Sequence, residues 1–377
     1  MQYVGVNDHS DSLFEGLFPI PAGMAYNSWV LADEKTAVMD PVGQAFADQW
    51  LAGIDRALAG GSPDILVVHH MEPDHSGSIA RFMDRYPRAH IAAPEKAFPM
   101  LQAFFGREYA DRRIVLREGD VLALGRRRLR FFAAPMVHWP EVMVSFEERE
   151  GTLFSADAFG RFGALDQEQP WTDEARRYYF AIVGKYGAPV QALLNKLRPL
   201  PVRRICPLHG PVLTAPLDEY LRLYDLWSRY EPEEQGTAII CASVYGNTRQ
   251  AAELLAAGLE SRGCRTALHD LNRGDMSRAL ADAFRFDRVV LAAPTCNADV
   301  FPTMKTFLHW LTARGFCGRR VGLITNGSWA PAAERSIRAL LKDARELTYA
   351  ENAVTLRSAV DAGAAARIDA LAEELAQ

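Results

Sequence analysis

The chain has 377 residues, 49% hydrophobic and 24% charged, with 42 Lys and Arg against 47 Asp and Glu for a formal charge of −5. This length suggests about two to three domains, and the composition excludes disordered, collagen-like and mucin-like architectures. Clustered cations for a nucleic-acid or anionic-membrane surface are missing, no stretch approaches about eighteen apolar residues, and the amino terminus lacks a secretory pattern, so the chain reads as soluble and cytoplasmic.

Apolar alternation through Ser28–Leu31, a turn at 32–36 and Ala37–Met39 predict a β-hairpin, followed by a helix. Ile65–Val68 is a continuous apolar run of the kind buried on both sheet faces. Further strands are expected at His90–Ala93, Arg113–Leu116, Leu129–Ala133, Val142–Phe146 and Thr152–Phe154. The basic run Arg126, Arg127, Arg128 and Arg130 reads as a solvated turn and edge strand. Helical patterning covers Thr172–Leu197, a strand Arg203–Cys206, and an amphipathic segment Leu217–Tyr230.

Glu231–Gly236 is polar, carries Pro and Gly, and marks the expected boundary between domains 1–235 and 236–377. Strict alternation follows, with strands at Thr237–Ala242, Arg265–His269, Arg288–Ala292, Arg319–Ile324 and Ala353–Leu356, each trailed by a helix. Five such β/α units predict a doubly wound parallel sheet.

The five cysteines (Cys206, Cys241, Cys264, Cys296, Cys317) are scattered and form no C-x-x-C, so neither a disulfide framework nor a four-thiolate metal site is available. Any metal must be held through His and carboxylate. The unusual segment is His69-His70-Met71-Glu72-Pro73-Asp74-His75-Ser76-Gly77-Ser78, placed where the buried strand ends. In extended geometry His70, Glu72 and Asp74 share a face and can converge, with His75 following as the chain turns. Acids and Ser are also favoured near a helix N-terminus. Two carboxylates beside two imidazoles after an apolar strand, however, carry buried charge that a cation would neutralise. His138 in Val137-His138-Trp139-Pro140, Asp157 in Ser155-Ala156-Asp157 and His209 in Leu208-His209-Gly210 each follow an expected strand and extend the set.

The pattern His-x-Glu-x-Asp-His, the His-Trp-Pro, the Leu-Phe-Ser-x-Asp-Ala-Phe-Gly and the Leu-His-Gly-Pro together resemble the metallo-β-lactamase-like domain of flavodiiron proteins, also called A-type flavoproteins. The resemblance implies an αβ/βα sandwich with a non-haem di-iron site. It assigns His70, Glu72 and His138 to one iron, Asp74, His75 and His209 to the other, and makes Asp157 the bridge. The family more often has Asp where Glu141 follows His-Trp-Pro. Hydrolytic members of the wider superfamily usually carry His in place of Glu72 and bind zinc, and a carboxylate there shifts preference toward iron or manganese without deciding it. His69 stands as a neighbouring proton donor or an exposed strand-end residue, Cys206 as a packed thiol, and Tyr178 and Tyr179 as residues of a helix the family shares.

After the boundary, Ile239–Ala242 leads into Ser243-Val244-Tyr245-Gly246-Asn247-Thr248 and a helix, which presents amides and hydroxyls to a phosphate without a P-loop Lys or G-x-G-x-x-G. Loops 293–298 and 325–330 also sit at carboxyl ends of strands, where open α/β sheets bind ligands. The three loops resemble a flavodoxin domain with FMN. By that resemblance Ser243, Tyr245, Gly246, Asn247 and Thr248 hold the phosphate, and Pro294, Thr295, Asn297, Gly327, Ser328 and Trp329 line the ribityl and isoalloxazine.

The expected architecture is therefore an α+β metallo-β-lactamase-like sandwich followed by a flavodoxin-like α/β sheet. The resemblance implies an oxidoreductase passing electrons from FMN to two irons that reduce O2 to water, NO to N2O, or both. It also implies a head-to-tail homodimer or a dimer of dimers, and a separate electron donor such as rubredoxin, because no C-x-x-C module is present. A zinc-dependent hydrolase with a flavodoxin regulatory domain is the alternative.

Overall fold

A computed structural model describes residues 1–377 and divides the chain into two compact units, Met1–Asp225 and Leu226–Gln377. The division falls inside the helix Asp218–Ser228, whereas the change-over expected at 235/236 lies on the first strand of the second unit, Glu234–Cys241.

The first unit holds two six-stranded sheets. One runs, in spatial order, Gln2–Tyr3, Trp29–Leu31, Ala37–Met39, Ile65–Val67, His90–Pro94 and Arg113–Leu116. Its central strands alternate in the two-residue period of the pleat. Val30, Val38, Leu66 and Ile91 pack in one cluster with Trp50 and Ile54 of helix Ala47–Leu58 and Phe82 of helix Ile79–Arg85. Trp29, Leu31, Met39, Ile65 and Val67 pack in the other, with Phe131, Met143 and Phe154 of the second sheet. Ile65–Val67 is buried throughout, as its continuous apolar run predicts.

The second sheet runs Val121–Ala123, Arg128–Ala133, Met143–Glu147, Thr152–Phe154, Arg204–Cys206 and Leu213–Thr214. Arg128–Ala133 is thus an inner strand, not an edge, because Val121–Ala123 covers it. Three of the four arginines of the basic run meet carboxylates of the neighbouring strand and its turn. Arg128 and Arg130 pair with Glu148 at 3.1 and 2.7 Å, and Arg127 lies 3.4 Å from Glu147.

The single helix expected over Thr172–Leu197 is broken into helix Trp171–Tyr178, a π-turn Tyr179–Val183, a 3-10 turn Gly184–Tyr186 and helix Gly187–Leu197. Gly184, Gly187 and Pro189 weaken the middle of that pattern.

In the second unit, parallel strands stand in the order Thr266–Asp270, Glu234–Cys241, Phe286–Cys296, Arg320–Asn326, with Val354–Leu356 and Thr348–Tyr349 both pairing on the last. The order reverses at Glu234–Cys241, which places a topological switch point and its crevice at the carboxyl ends of Glu234–Cys241 and Phe286–Cys296. No helix in the chain is long and apolar enough to cross a membrane.

Candidate metal centre and flavin cleft

All seven sequence-predicted metal-site residues come together, in two groups: His70, Glu72, His138 and Asp157, and Asp74, His75 and His209. The first sheet delivers the segment after Ile65–Val67; the second delivers His138, Asp157 and His209 from loops beside its central strands. The expectation that Asp74 shares a face with His70 and Glu72 fails. Pro73 opens a short helical turn, Pro73–Ser76, and this carries Asp74 and His75 to the other group.

Hydrogen bonds set which nitrogen of His70 and of His209 faces inward. The Nδ1–H of His70 donates to Glu141 Oε1 at 2.9 Å, and the Met71 amide donates to the same oxygen at 2.9 Å. The Nε2 of His70 then faces Glu72 Oε2 at 3.1 Å and Asp157 Oδ2 at 3.3 Å. His138 Nε2 lies 3.0 and 3.3 Å from the same two oxygens. In the other group, His209 Nδ1–H donates to the Ala25 carbonyl at 2.8 Å, so its Nε2 lone pair faces His75 Nε2 at 2.9 Å. Asp74 Oδ2 stands 3.3 and 3.4 Å from those two nitrogens, and Asp157 Oδ1 stands 3.6 Å from each.

Lone pairs facing lone pairs at these distances are tolerable only with protons or cations between them. Both Asp74 oxygens, Asp157 Oδ1 and His75 Nδ1 are buried without a hydrogen-bond partner. In metal-stripped protein, protons would fill the role. Burial opposes charge on His138, but Asp157 and Glu72 outweigh it and push its pKa up to about 9. Burial likewise opposes, and Asp157, Glu141 and Glu72 reverse, the shift at His70, which ends well above its ordinary value. Glu72 and Asp157, though buried, are held far below the usual carboxylate range by the facing imidazoles. The residues therefore fit a pair of cations, with hard oxygen and imidazole donors and no thiolate.

Aromatic rings wall the second group: Phe14, Tyr26 and Tyr178 lie 5.4 to 5.5 Å from His209. Phe14 sits in the hairpin Leu13–Phe14 and Phe18–Pro19, next to Glu15. Glu15, an exposed residue whose carboxyl is tucked toward Glu72, is pushed up to about 7 by burial and by the Glu72 charge. The Glu141 position and Tyr178 stand out in the sequence without these contacts being assigned to them, and nothing there signals Phe14, Glu15 or Tyr26. Cys206 is a buried thiol in the inter-sheet core, as a packed role predicts.

His69 is neither exposed nor turned toward the metal groups. It is buried between Asp40 and Ser145, with Nδ1 at 2.5 Å from Asp40 Oδ2 and Nε2 at 2.8 Å from Ser145 Oγ.

In the second unit a cleft of about 540 Å³ opens at the switch point. Ser243, Tyr245, Asn247, Thr248, Pro294, Thr295, Asn297, Gly327, Ser328 and Trp329 line it. Gly246 is not part of the lining. It takes φ +98° just before helix Asn247–Ser261, a conformation that glycine adopts without strain. The N-cap residue of that helix has no side chain to cap it, so the amides of Asn247 and Thr248 remain for an anion. Ser243 Oγ accepts from the amides of Gly246 and Arg249 at 3.2 and 3.3 Å, which leaves its own proton to donate. Tyr245 and Trp329 are 93% and 89% exposed, two aromatic faces free to cover a planar ring. Neutral donors plus exposed aromatics fit a flavin mononucleotide. Asn326, within the expected loop 325–330 but given no role there, and Ser358, outside every expected loop, also line the cleft.

Comparisons with known proteins agree with this division. Residues 24–210 match the model for the ODP family beta lactamase, and residues 239–347 match the flavodoxin model. The chain is 28% identical over 367 residues to a nitric oxide reductase of Moorella thermoacetica, covering 94% of this chain and 91% of that protein. It is 29% identical over 361 residues to the type A flavoprotein fprA of Rhodobacter capsulatus, covering 91% and 82%. Among solved structures it resembles the rubredoxin oxygen:oxidoreductase of Desulfovibrio gigas, with a TM-score of 0.90, 22% identity and 99% and 95% coverage. A flavodiiron protein of Giardia intestinalis gives 0.85 at 23% identity, with 100% and 96% coverage.

Fold and matched models define a β-lactamase-like domain followed by a flavodoxin domain. That order, with relatives matched along nearly the whole chain, places it in the flavodiiron family, the A-type flavoproteins.

Proposed function

We propose that the chain is an oxidoreductase that uses FMN and a non-haem di-iron pair to reduce O2 to water, NO to N2O, or both. The observation that carries this reading is the position of Asp157, whose two carboxylate oxygens face the two donor groups separately. His70, Glu72 and His138 would hold one iron, Asp74, His75 and His209 the other, with Asp157 shared. Bound iron supplies the gas-binding and redox chemistry, and FMN supplies electrons in ones or twos. The protein's part is to orient the donor nitrogens of His70 and His209, as Glu141 and the Ala25 carbonyl do, and to wall the centre with Phe14, Tyr26 and Tyr178.

Relatives named nitric oxide reductase and coenzyme F420H2 oxidase support a reductive function, and none of those compared supports the zinc-hydrolase alternative. Purified protein should contain iron and FMN, and the flavin, once reduced without air, should be reoxidised by O2 or NO in separate cells. Absence of iron, together with a reduced flavin that neither gas reoxidises, overturns the reading.

Rubredoxin is the proposed donor, in keeping with the name of the Desulfovibrio gigas protein. A head-to-tail homodimer in the cytoplasm is the proposed working form. Apolar residues exposed around the flavin cleft (Val244, Tyr245, Trp329) and on the segments Leu13, Leu17 and Leu165 offer surfaces for a second copy. Light scattering alongside turnover tests this: a monomer that turns over at the full rate overturns the dimer.

A further inference from the structure

The flavin cleft has a fourth wall. Beyond the loops after Glu234–Cys241, Phe286–Cys296 and Arg320–Asn326, the segment after Val354–Leu356 brings Ser358 into the lining. Ser358 sits at φ +76°, in the left-handed region, and one side chain holds it there. Asn326 Oδ1 accepts from the Ser358 amide at 3.1 Å, and Asn326 Nδ2 donates to the Ser358 carbonyl at 2.9 Å. The same Nδ2 lies 3.5 Å from Thr248 Oγ1, on the first turn of the helix at the phosphate loop. Ser358 Oγ is 2.6 Å from Ser328 Oγ, and this hydroxyl pair is exposed.

We propose that the Ser328–Ser358 hydroxyl pair binds the phosphate end of FMN, with Asn326 as the positioning residue that sets Ser358. The proposal rests on reading this cleft as an FMN site. Charge counting is its physical ground. The phosphate loop carries no Lys, and Arg249 on the first helical turn is already engaged by Glu253 at 2.8 Å. A dianion in this cleft depends on neutral donors, each contributing a charge-assisted hydrogen bond. Within the pair one hydroxyl donates to the other, and the acceptor's own proton stays free for a ligand oxygen. The carboxamide of Asn326 is itself largely buried and holds both backbone groups of Ser358, so the pair is preorganised and little is lost on ordering it.

The test uses the full-length protein stripped of flavin and titrated separately with FMN and riboflavin, followed by flavin fluorescence. Ser358→Gly removes the hydroxyl while keeping the positive φ and both backbone bonds to Asn326. It should weaken FMN about tenfold or more, and riboflavin by less than about twofold, the scale of one hydrogen bond to a charged group. Asn326→Ala should weaken FMN further, again with little effect on riboflavin. Equal losses for the two ligands, or unchanged FMN affinity in Ser358→Gly, overturn the proposal. Failure of FMN to bind the parent protein overturns the flavin reading itself.

Discussion

Asp157 Oδ2 lies 3.3 Å from His70 Nε2, while the other oxygen of the same carboxylate turns away to the second histidine pair. Asp157 is 1% exposed, and its Oδ1 has no hydrogen-bond partner, so the side chain is a buried anion whose compensation comes from both groups. Removing it should uncouple the two sets. Asp157→Ala is expected to lower metal content from two ions per chain to one or fewer, by elemental analysis. Two tightly held ions in the variant would show that Asp157 does not bridge.

Glu141 belongs to neither donor group, yet it fixes which nitrogen of His70 faces the centre. Braces of this kind typically change metal affinity by about ten- to a hundredfold. Glu141→Ala is expected to weaken the metal by that order in chelator competition. Glu141→Gln should weaken it less, because its amide oxygen still accepts from His70 Nδ1 and the Met71 amide.

The bare metal centre is a proton store, and its sign can be worked out. His138 has a folded pKa of about 9 against 6.5 for the free side chain, so its stabilising contribution is full below pH 6.5 and is lost as pH rises through 9. Glu72 and Asp157 are shifted downward, so theirs is present above the ordinary carboxylate range and is lost as pH falls. Metal-stripped protein should therefore be most stable between roughly pH 5 and 6.5. Metal binding needs the lone pairs that those protons occupy. Uptake at pH 7 should release protons, and affinity should rise toward pH 9. Calorimetry in buffers of different ionisation enthalpy counts the protons, and a count of zero refutes the assignment of His138 and His70.

The two-unit plan was legible because each unit advertises itself in a different period: buried apolar strands feeding a polar cluster, then five regular β/α repeats. The two donor groups were legible in part because four of their seven residues fall within six positions. What the local pattern misjudged was direction, since Pro73 starts a helical turn and sends Asp74 to the neighbouring group. Glu141, Asp40 and Ser145 act across 71, 29 and 76 positions of chain, and no short motif encodes such distances. The short strands Val6–Asp8, Leu13–Phe14, Phe18–Pro19 and Met24–Tyr26 carry too few residues for alternation to register. Ser358 escaped notice because its place in the cleft depends on Asn326, 32 positions earlier.

His69 has the hydrogen-bond order of a hydrolytic triad, Ser145 to His69 to Asp40, and burial gives it a different role. All three residues are at most 1% exposed, so no substrate reaches Ser145. Asp40 Oδ1 also accepts from the His69 amide at 2.7 Å, and the His69 carbonyl accepts from the Met143 amide at 3.1 Å. Asp40 follows Ala37–Met39 in the first sheet, and Ser145 lies on Met143–Glu147 in the second, so the imidazole ties the sheets together one residue before His70. His69→Ala would strand a buried carboxylate and should cost about 3–5 kcal/mol in urea unfolding, enough to consume much of a domain's stability. Ser145→Ala removes a neutral partner and should cost about 1 kcal/mol. A double-mutant cycle should then return a coupling close to the whole Ser145 effect, because the hydroxyl has no other partner to lose. Intact protein should also resist a serine-directed fluorophosphonate; labelling at Ser145 would mean that the triad opens to solvent and is more than a tie.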